Sequence, residues 1–335
     1  MKTLFILLLT FSALIALVIS RNIKPKGFQI IGSTTGLADS TLIFLEDAST
    51  SSLLKTDSTF IIDGKFSFSG SLKENVSQVI LRTRDFSDYK FLWIENSIIT
   101  FRGERGKFRQ ATITGSLTQN DQERLDSAII TTGNEREQNI LFIRNNPASI
   151  ISAHTLSVYS STWGKDTSAM LFNNLSQELK NTSYGKNISA FIKLNRNLKI
   201  GDRYVDFSQP NIHGKMVNLS DFTGKVILLE FWGSWCFPCR QGNPELVKTY
   251  SEFKGKGFEI LGVAADSKRE DWVNAMQKDG LLWPNVCDLE GDKNRAALIY
   301  GVSSYPANFL IDKTGVIVAK DLIGENLREK LKEIL

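Results

Sequence analysis

At 335 residues the chain is long enough for two domains, each burying a core of its own. Its 42% apolar and 23% charged content is ordinary for a soluble globular protein. The formal net charge of +4 is spread over 40 Lys/Arg and 36 Asp/Glu without a dense basic block, which argues against a nucleic-acid partner.

The first 20 residues differ from the rest. Lys2 gives a short positive start, residues 4–19 are almost continuously apolar, and polar residues return at Ser20, Arg21 and Asn22. Residues 1–20 therefore read as a signal peptide or an N-terminal anchor. The run is short of the roughly 20 apolar residues that a spanning helix needs. The site Val18-Ile19-Ser20 is a weak cleavage sequence, so both readings stay open. No Cys follows the run to accept a lipid. In either case the chain beyond it faces the outside of a membrane, in a cell envelope or periplasm, with membrane attachment through the N-terminal segment as the second option.

Residues 27–116 read as a β-sandwich-like domain. Strands are expected at 28–32, 41–45, 59–62, 65–70, 79–83, 90–95, 98–102 and 111–114. Asp63-Gly64 supplies a hairpin turn, because both residues tolerate positive φ. The segment carries no Cys, no His and no paired acids, so no chemistry is visible in it.

Residues 117–198 change to helical periodicity and read as a helical connector, with helices at 121–131, 138–145, 149–159, 167–179 and 190–196. Pro147 and the Asn/Ser/Gly-rich stretch 181–189 are read as breaks.

Residues 199–335 carry an α/β pattern. Residues 226–232 are apolar except for Glu230, as expected of a strand buried on both faces. A helix follows to about 254, then a strand at 258–264, helices at 269–278 and 294–300, a hairpin of 307–311 and 316–319, and a closing helix at 327–335. This order makes a mixed sheet flanked by helices.

Only three cysteines exist, and two of them form Trp235-Cys236-Phe237-Pro238-Cys239 directly after the buried strand. A helix N-terminus offers unpaired N–H groups and partial positive charge, so a thiolate is favoured at Cys236. Pro238 fits the first helical turn, where its missing N–H is not needed. Cys236 is thus the expected attacking thiolate, the more exposed sulfur, and Cys239 the resolving thiol. Trp235 and Phe237 would flank it as an apolar rim for a partner polypeptide. A zinc site lacks further ligands. Haem attachment needs CxxCH, and Arg240 stands at the His position. A redox-active Cys236–Cys239 disulfide is therefore the expected working group, with no other cofactor and no metal.

Residues 226–240, VILLEFWGSWCFPCR, resemble the active-site stretch of the TlpA/ResA-like, envelope-facing thioredoxin family. The match runs from Ile200-Gly201-Asp202 through Asp206-Phe207, Leu219-Ser220-Asp221 and Gly224-Lys225 to Tyr305-Pro306-Ala307-Asn308-Phe309-Leu310-Ile311-Asp312. More weakly, Phe66-Ser67-Phe68-Ser69-Gly70 and Thr112-Ile113-Thr114-Gly115-Ser116 resemble an N-terminal β-domain of unknown function joined to such domains in bacterial envelope proteins. The resemblance implies a thioredoxin-like fold and thiol–disulfide oxidoreductase activity on protein disulfides or dithiols, fed by a membrane thiol–disulfide electron donor. It implies that Pro306 is a cis-proline facing the CxxC, exposing the Tyr305 backbone as a docking edge. Glu230 stands where thioredoxins place a buried acid, and a desolvated carboxyl there could accept the Cys239 proton; the other reading is a strand-edge Glu that reaches solvent.

One departure bears on specificity. The ResA-like pattern has an acid three positions after the second Cys, and Gly242 stands there, which weakens the implied role in cytochrome c maturation. Two other readings are carried: a thiol peroxidase, disfavoured because Gly233 stands where a Thr is needed, and an envelope binding or scaffold protein that uses the β-domain. Cys287 is read as a half-buried strand cysteine or as a second redox partner. His154 and His213 read as structural or surface residues.

Overall fold

The computed structural model describes residues 27–48, 57–72 and 74–335, so the segment expected to be a signal or anchor, 1–20, lies outside the described residues. The chain divides into two compact units, Met1–Asn120 and Asp121–Leu335. No helix among the described residues is long and apolar enough to cross a membrane.

The first unit is built from β1 (Phe28–Thr35), β2 (Leu42–Asp47), β3 (Asp57–Phe60), β4 (Lys65–Gly70), β5 (Val76–Thr83), β6 (Tyr89–Glu95), β7 (Ile98–Glu104) and β8 (Thr112–Thr114). They form two four-stranded sheets, ordered β4-β1-β7-β8 and β3-β2-β5-β6. Alternation explains the pairing of the sheets. In β1 buried and exposed residues alternate, and Phe66 and Phe68 of β4 are buried between exposed neighbours. Ile30, Phe66, Ile99 and Phe101 from one sheet share a core with Ile43, Val79, Leu81 and Leu92 from the other. At the expected turn, Asp63 and Gly64 have φ of 51° and 69°, and Ile62 and Lys65 exchange backbone bonds of 2.9 Å.

Helix α1 (Leu117–Thr132) contains the division between the units. It is followed by α2 (Glu135–Asn145), α3 (Ile150–Trp163), α4 (Lys165–Asn174), α5 (Gln177–Lys180) and α6 (Ser183–Leu194). Two expectations are corrected here. The helix expected at 167–179 is split, because Leu175 leaves helical geometry and Ser176 starts α5 by capping the Leu179 amide. The stretch 181–189, read as a break, instead begins α6: Thr182 accepts the Gly185 amide at 3.2 Å, and the polar residues occupy the first turns of a helix that buries Ile188 and Phe191. Cap residues and loop residues have the same composition, so periodicity alone misplaced the boundary.

The remainder holds β9 (Ser208–Pro210), β10 (Met216–Asn218), β11 (Val226–Trp232), α7 (Phe237–Phe253), β12 (Phe258–Ala264), α8 (Arg269–Asp279), β13 (Asn285–Val286), α9 (Arg295–Tyr300), β14 (Ala307–Ile311), β15 (Ile317–Lys320) and α10 (Gly324–Ile334). A five-stranded sheet runs β13-β12-β11-β14-β15. Strand β11 lies at its centre, parallel to β12 and antiparallel to β14. Val226, Leu228 and Trp232 bury one face against α7, α8 and α10, while Ile227, Leu229 and Phe231 bury the other against α9. This is the thioredoxin-like arrangement implied by the sequence. The edge strand β13 lies in the stretch where Cys287 was read as a strand residue, but it ends at Val286, one residue before that cysteine. The helical segment is part of the same unit: Arg196 donates its amide to the Ile299 carbonyl at 3.1 Å, and Asn195 donates to Leu298 at 3.3 Å.

A buried polar knot fastens the loop after β13. Asn294, fully buried, donates to the Ala264 carbonyl at 3.2 Å and to Asp288 at 3.0 Å. It accepts from Gln209 at 3.1 Å and caps α9 through the Ala297 amide at 3.0 Å. Asn294→Ala leaves Gln209 and Asp288 short of partners, and is expected to lower unfolding free energy by about 2 kcal/mol or more. Urea midpoints measure this, and a loss below about 0.5 kcal/mol would count against the knot.

Candidate active site

The junction of β11 and α7 carries the cysteine pair because a buried strand and an amphipathic helix meet there with only Gly233, Ser234, Trp235 and Cys236 between them. Cys236 and Cys239 form a disulfide. Cys236 is the N-cap of α7, and the Cys239 amide donates to Cys236 Sγ at 3.2 Å. Pro238 lies in the first turn. A sulfur at this position feels both a direct N–H bond and the positive end of the helix. Both cysteines of the pair are buried as residues. Cys236 is 3% and Cys239 4% exposed, because both belong to the core under α7, with Tyr305 packed against it.

The rim around the pair is apolar. Trp235 is 57% and Phe237 71% exposed. The Trp235 indole donates to the Ala265 carbonyl at 3.0 Å and meets Tyr305 edge-on, with ring centroids 5.4 Å apart. The Tyr305–Pro306 peptide is cis. Burial, then the acids Asp292 and Asp288, push the Tyr305 hydroxyl above its ordinary pKa, so it stays a neutral hydroxyl.

Glu230 lies on the central strand rather than at an edge. It alternates with Leu228 and Trp232, so its side chain is on the sheet face that carries Cys236 and Cys239. Its neighbours in register are Gly262 on β12 and Asn308 on β14, and Gly262 is in turn paired with Asn285 on β13. One polar row thus crosses an otherwise apolar face. Asn308 is locked by Leu322, donating to its carbonyl at 2.8 Å and accepting its amide at 3.0 Å. Burial raises the Glu230 pKa to about 8; a hydrogen bond from Asn308 opposes the rise and the charge of Asp321 adds to it. Gly262 is required by the row, because a Cβ there would lie 2.2 Å from Asn285 Oδ1, the atom that accepts the Trp232 indole N–H at 2.9 Å.

Sequence reasoning gave no role to Asp266, Arg240, Asp279 or Asn285, all of which converge here. The available signal was position: Asp266 lies two residues beyond the C-terminal end of the buried parallel strand β12, where α/β sheets gather their functional groups. Cys287 is not half-buried but 1% exposed. Its thiol points to the Asp266 carbonyl at 3.5 Å, and burial raises its pKa to about 11, which leaves it a poor nucleophile. His154 is half-buried and its ring meets Tyr184 edge-on, and His213 is exposed. Among the described residues no group of three or more His, Cys, Asp or Glu is arranged to hold a metal ion.

Residues 200–320 match the AhpC/TSA family, and residues 28–122 match a domain of unknown function, DUF4369. The thiol-disulfide oxidoreductase ResA of Bacillus thuringiensis subsp. konkukian is 35% identical over 138 residues, covering 41% of this chain and 78% of that protein. The chain belongs to the ResA-like thiol-disulfide oxidoreductase family. ResA of Bacillus subtilis is 35% identical over 113 residues, 34% of this chain and 62% of that protein. Among solved structures, a thiol-disulfide oxidoreductase from Bacteroides fragilis is 40% identical and covers 40% of this chain and all of that one, with a TM-score of 0.39. The family makes the chain an enzyme of thiol–disulfide exchange.

The Glu230 carboxyl supplies a pH test. The unfolded chain releases this proton near 4.5, while the folded chain holds it to about 8. Between these values the native state binds more protons, so stability from this site is full below about pH 4.5 and is lost as pH rises through about 8. Glu230→Gln stays neutral throughout. The stability of the variant relative to the natural chain, read from urea midpoints, is expected to climb between about pH 5 and 9. A difference independent of pH would show that Glu230 is ionised throughout.

Proposed function

We propose that the protein is an exported reductase of protein disulfides. The observation that carries this reading is the Cys236–Cys239 pair capping α7 beside an exposed aromatic rim and the cis Tyr305–Pro306 peptide. In the proposed cycle the Cys236 thiolate attacks one sulfur of a substrate disulfide. A Cys236–substrate S–S bond forms, and the other substrate sulfur leaves as a thiolate that takes up a proton. Cys239 then loses its proton and attacks Cys236 Sγ. The mixed disulfide breaks, the second substrate thiolate is released and protonated, and the Cys236–Cys239 disulfide remains. Two electrons pass to the substrate, and a membrane thiol–disulfide donor would return them to the enzyme. As pH approaches about 8, where Glu230 ionises, its carboxylate would take the Cys239 proton directly or through water. Trp235, Phe237, Pro238, Tyr305 and Pro306 would form the substrate-facing surface, with the Tyr305 backbone as a strand-like edge.

The export reading is supported by the apolar run at 4–19 behind Lys2. It places the enzyme in a bacterial envelope, either soluble after cleavage or tethered by that segment. The missing acid at Gly242 supports general reduction over a dedicated role in cytochrome c maturation.

Trapping tests the cycle. Cys239→Ser is expected to accumulate a covalent adduct with a disulfide-bonded substrate such as insulin, detected by mass spectrometry and released by dithiothreitol. Cys236→Ser should give none. The natural chain should precipitate insulin B chain, and its CxxC potential should lie near about −270 mV rather than about −120 mV. Adducts on Cys236→Ser alone would reverse the roles. A potential near the upper value would make the enzyme an oxidant, and peroxide consumption without insulin reduction would replace the reductase reading.

A further inference from the structure

Ser234 stands two places before Cys236 and is held from both sides. Beyond the end of β12, Asp266 Oδ2 accepts the Ser234 amide at 3.1 Å, and its Oδ1 accepts the Ser234 hydroxyl. From α7, Arg240 Nη1 donates to the Ser234 carbonyl at 3.0 Å. The rest of the guanidinium is fixed as a fork on Asp279 at the end of α8, through Nε and through Nη2 at 2.7 Å. Asn243 Nδ2 adds a third donor to the same carboxylate at 2.7 Å.

These contacts do different electrostatic work. Asp279 and Arg240 form a half-buried, bidentate pair. Burial alone would raise the Asp279 pKa, but the bonds from Arg240 and Asn243 outweigh it and hold the carboxyl low. Asp266 is 2% exposed and has no such fork. Its pKa is raised by burial, opposed by the two Ser234 bonds, so the carboxyl feels its desolvation strongly. Its backbone also accepts the Cys287 thiol and the Gly291 amide, which ties the loop before Cys236 to the loop beside Tyr305.

We propose that Asp266 and Arg240 are positioning residues that grip Ser234 between them and set, with opposite signs, how readily Cys236 carries negative charge. The inference rests on the thiol–disulfide reading given above. A buried carboxylate near Cys236 disfavours the thiolate and so favours the disulfide form, whereas a guanidinium does the reverse. The other titratable groups that face this region are Asp271, which acts on Asp266, Lys278, which acts on Asp279, Glu230 on the sheet below, Tyr305, and Cys287, Asp288 and Asp292 beside it. None of them bonds to Ser234.

The test uses the full chain and reads two quantities: the Cys236 pKa, from the pH dependence of alkylation of the reduced protein, and the dithiol–disulfide equilibrium against glutathione. Asp266→Asn keeps an oxygen and an amide to bind Ser234 but loses the charge. It is expected to lower the Cys236 pKa and shift the equilibrium about threefold or more toward the dithiol. Arg240→Gln should move both quantities the other way, and Arg240→Lys, which keeps the charge without the fork, should lie between Arg240→Gln and the natural chain. Unfolding midpoints taken alongside separate these effects from loss of fold. Lowered midpoints with pKa and equilibrium unchanged, or shifts of the same sign in Asp266→Asn and Arg240→Gln, overturn the proposal. A natural chain whose CxxC does not exchange with glutathione at all overturns the oxidoreductase reading itself.

Discussion

The C-terminal unit depends on a single constraint: the central strand β11 must end where α7 begins, with Cys236 as the cap. The Cys239 amide to Cys236 Sγ bond of 3.2 Å satisfies a helix N–H that would otherwise seek water, and so the sulfur becomes part of the secondary structure. Strand β11 is buried on both faces, which leaves the loop little freedom to shift. Trp235, pinned to the Ala265 carbonyl, and the cis peptide before Pro306 then frame a pair whose own exposure is small.

Around this junction the protein tolerates polar groups that burial disfavours. Glu230, Asn285 and Asn308 share one row across the sheet, and each is held by a neighbour: Asn308 by the Leu322 backbone, Asn285 by the Trp232 indole and the Trp283 carbonyl. Such a row is costly unless its members are bonded to one another or to the backbone. The apolar residues on both sides keep water out, and the same exclusion lifts the Glu230 pKa. Packing and proton affinity at this site are therefore two results of one desolvation.

Much of this was legible along the chain. The apolar run broken only by Glu230, the CxxC behind it and the Pro in the first turn are local signals, and their meaning depends on strand and helix geometry alone. The β-domain was legible through the alternation of Phe66 and Phe68 and the Asp63-Gly64 turn. The start of α6 was not, because Thr182 and its polar neighbours suit a loop as well as a cap. The bounds of β13 were not legible, because two residues have no period, and the burial of Cys287 depends on the loop that Asn294 fastens.

The sequence by itself determined the chemistry, since a CxxC at a helix start needs only neighbours within a few residues. Tertiary structure decided the company that chemistry keeps. Asp266 bonds to Ser234, Asp279 to Arg240, and Asn285 to Trp232, each joining the surroundings of the cysteine pair from a strand or helix distant in the chain. Hydrogen bonds such as Ser234 to Asp266, 32 residues apart, leave no periodic trace in a sequence, because they depend on where the folded sheet brings its strand ends together.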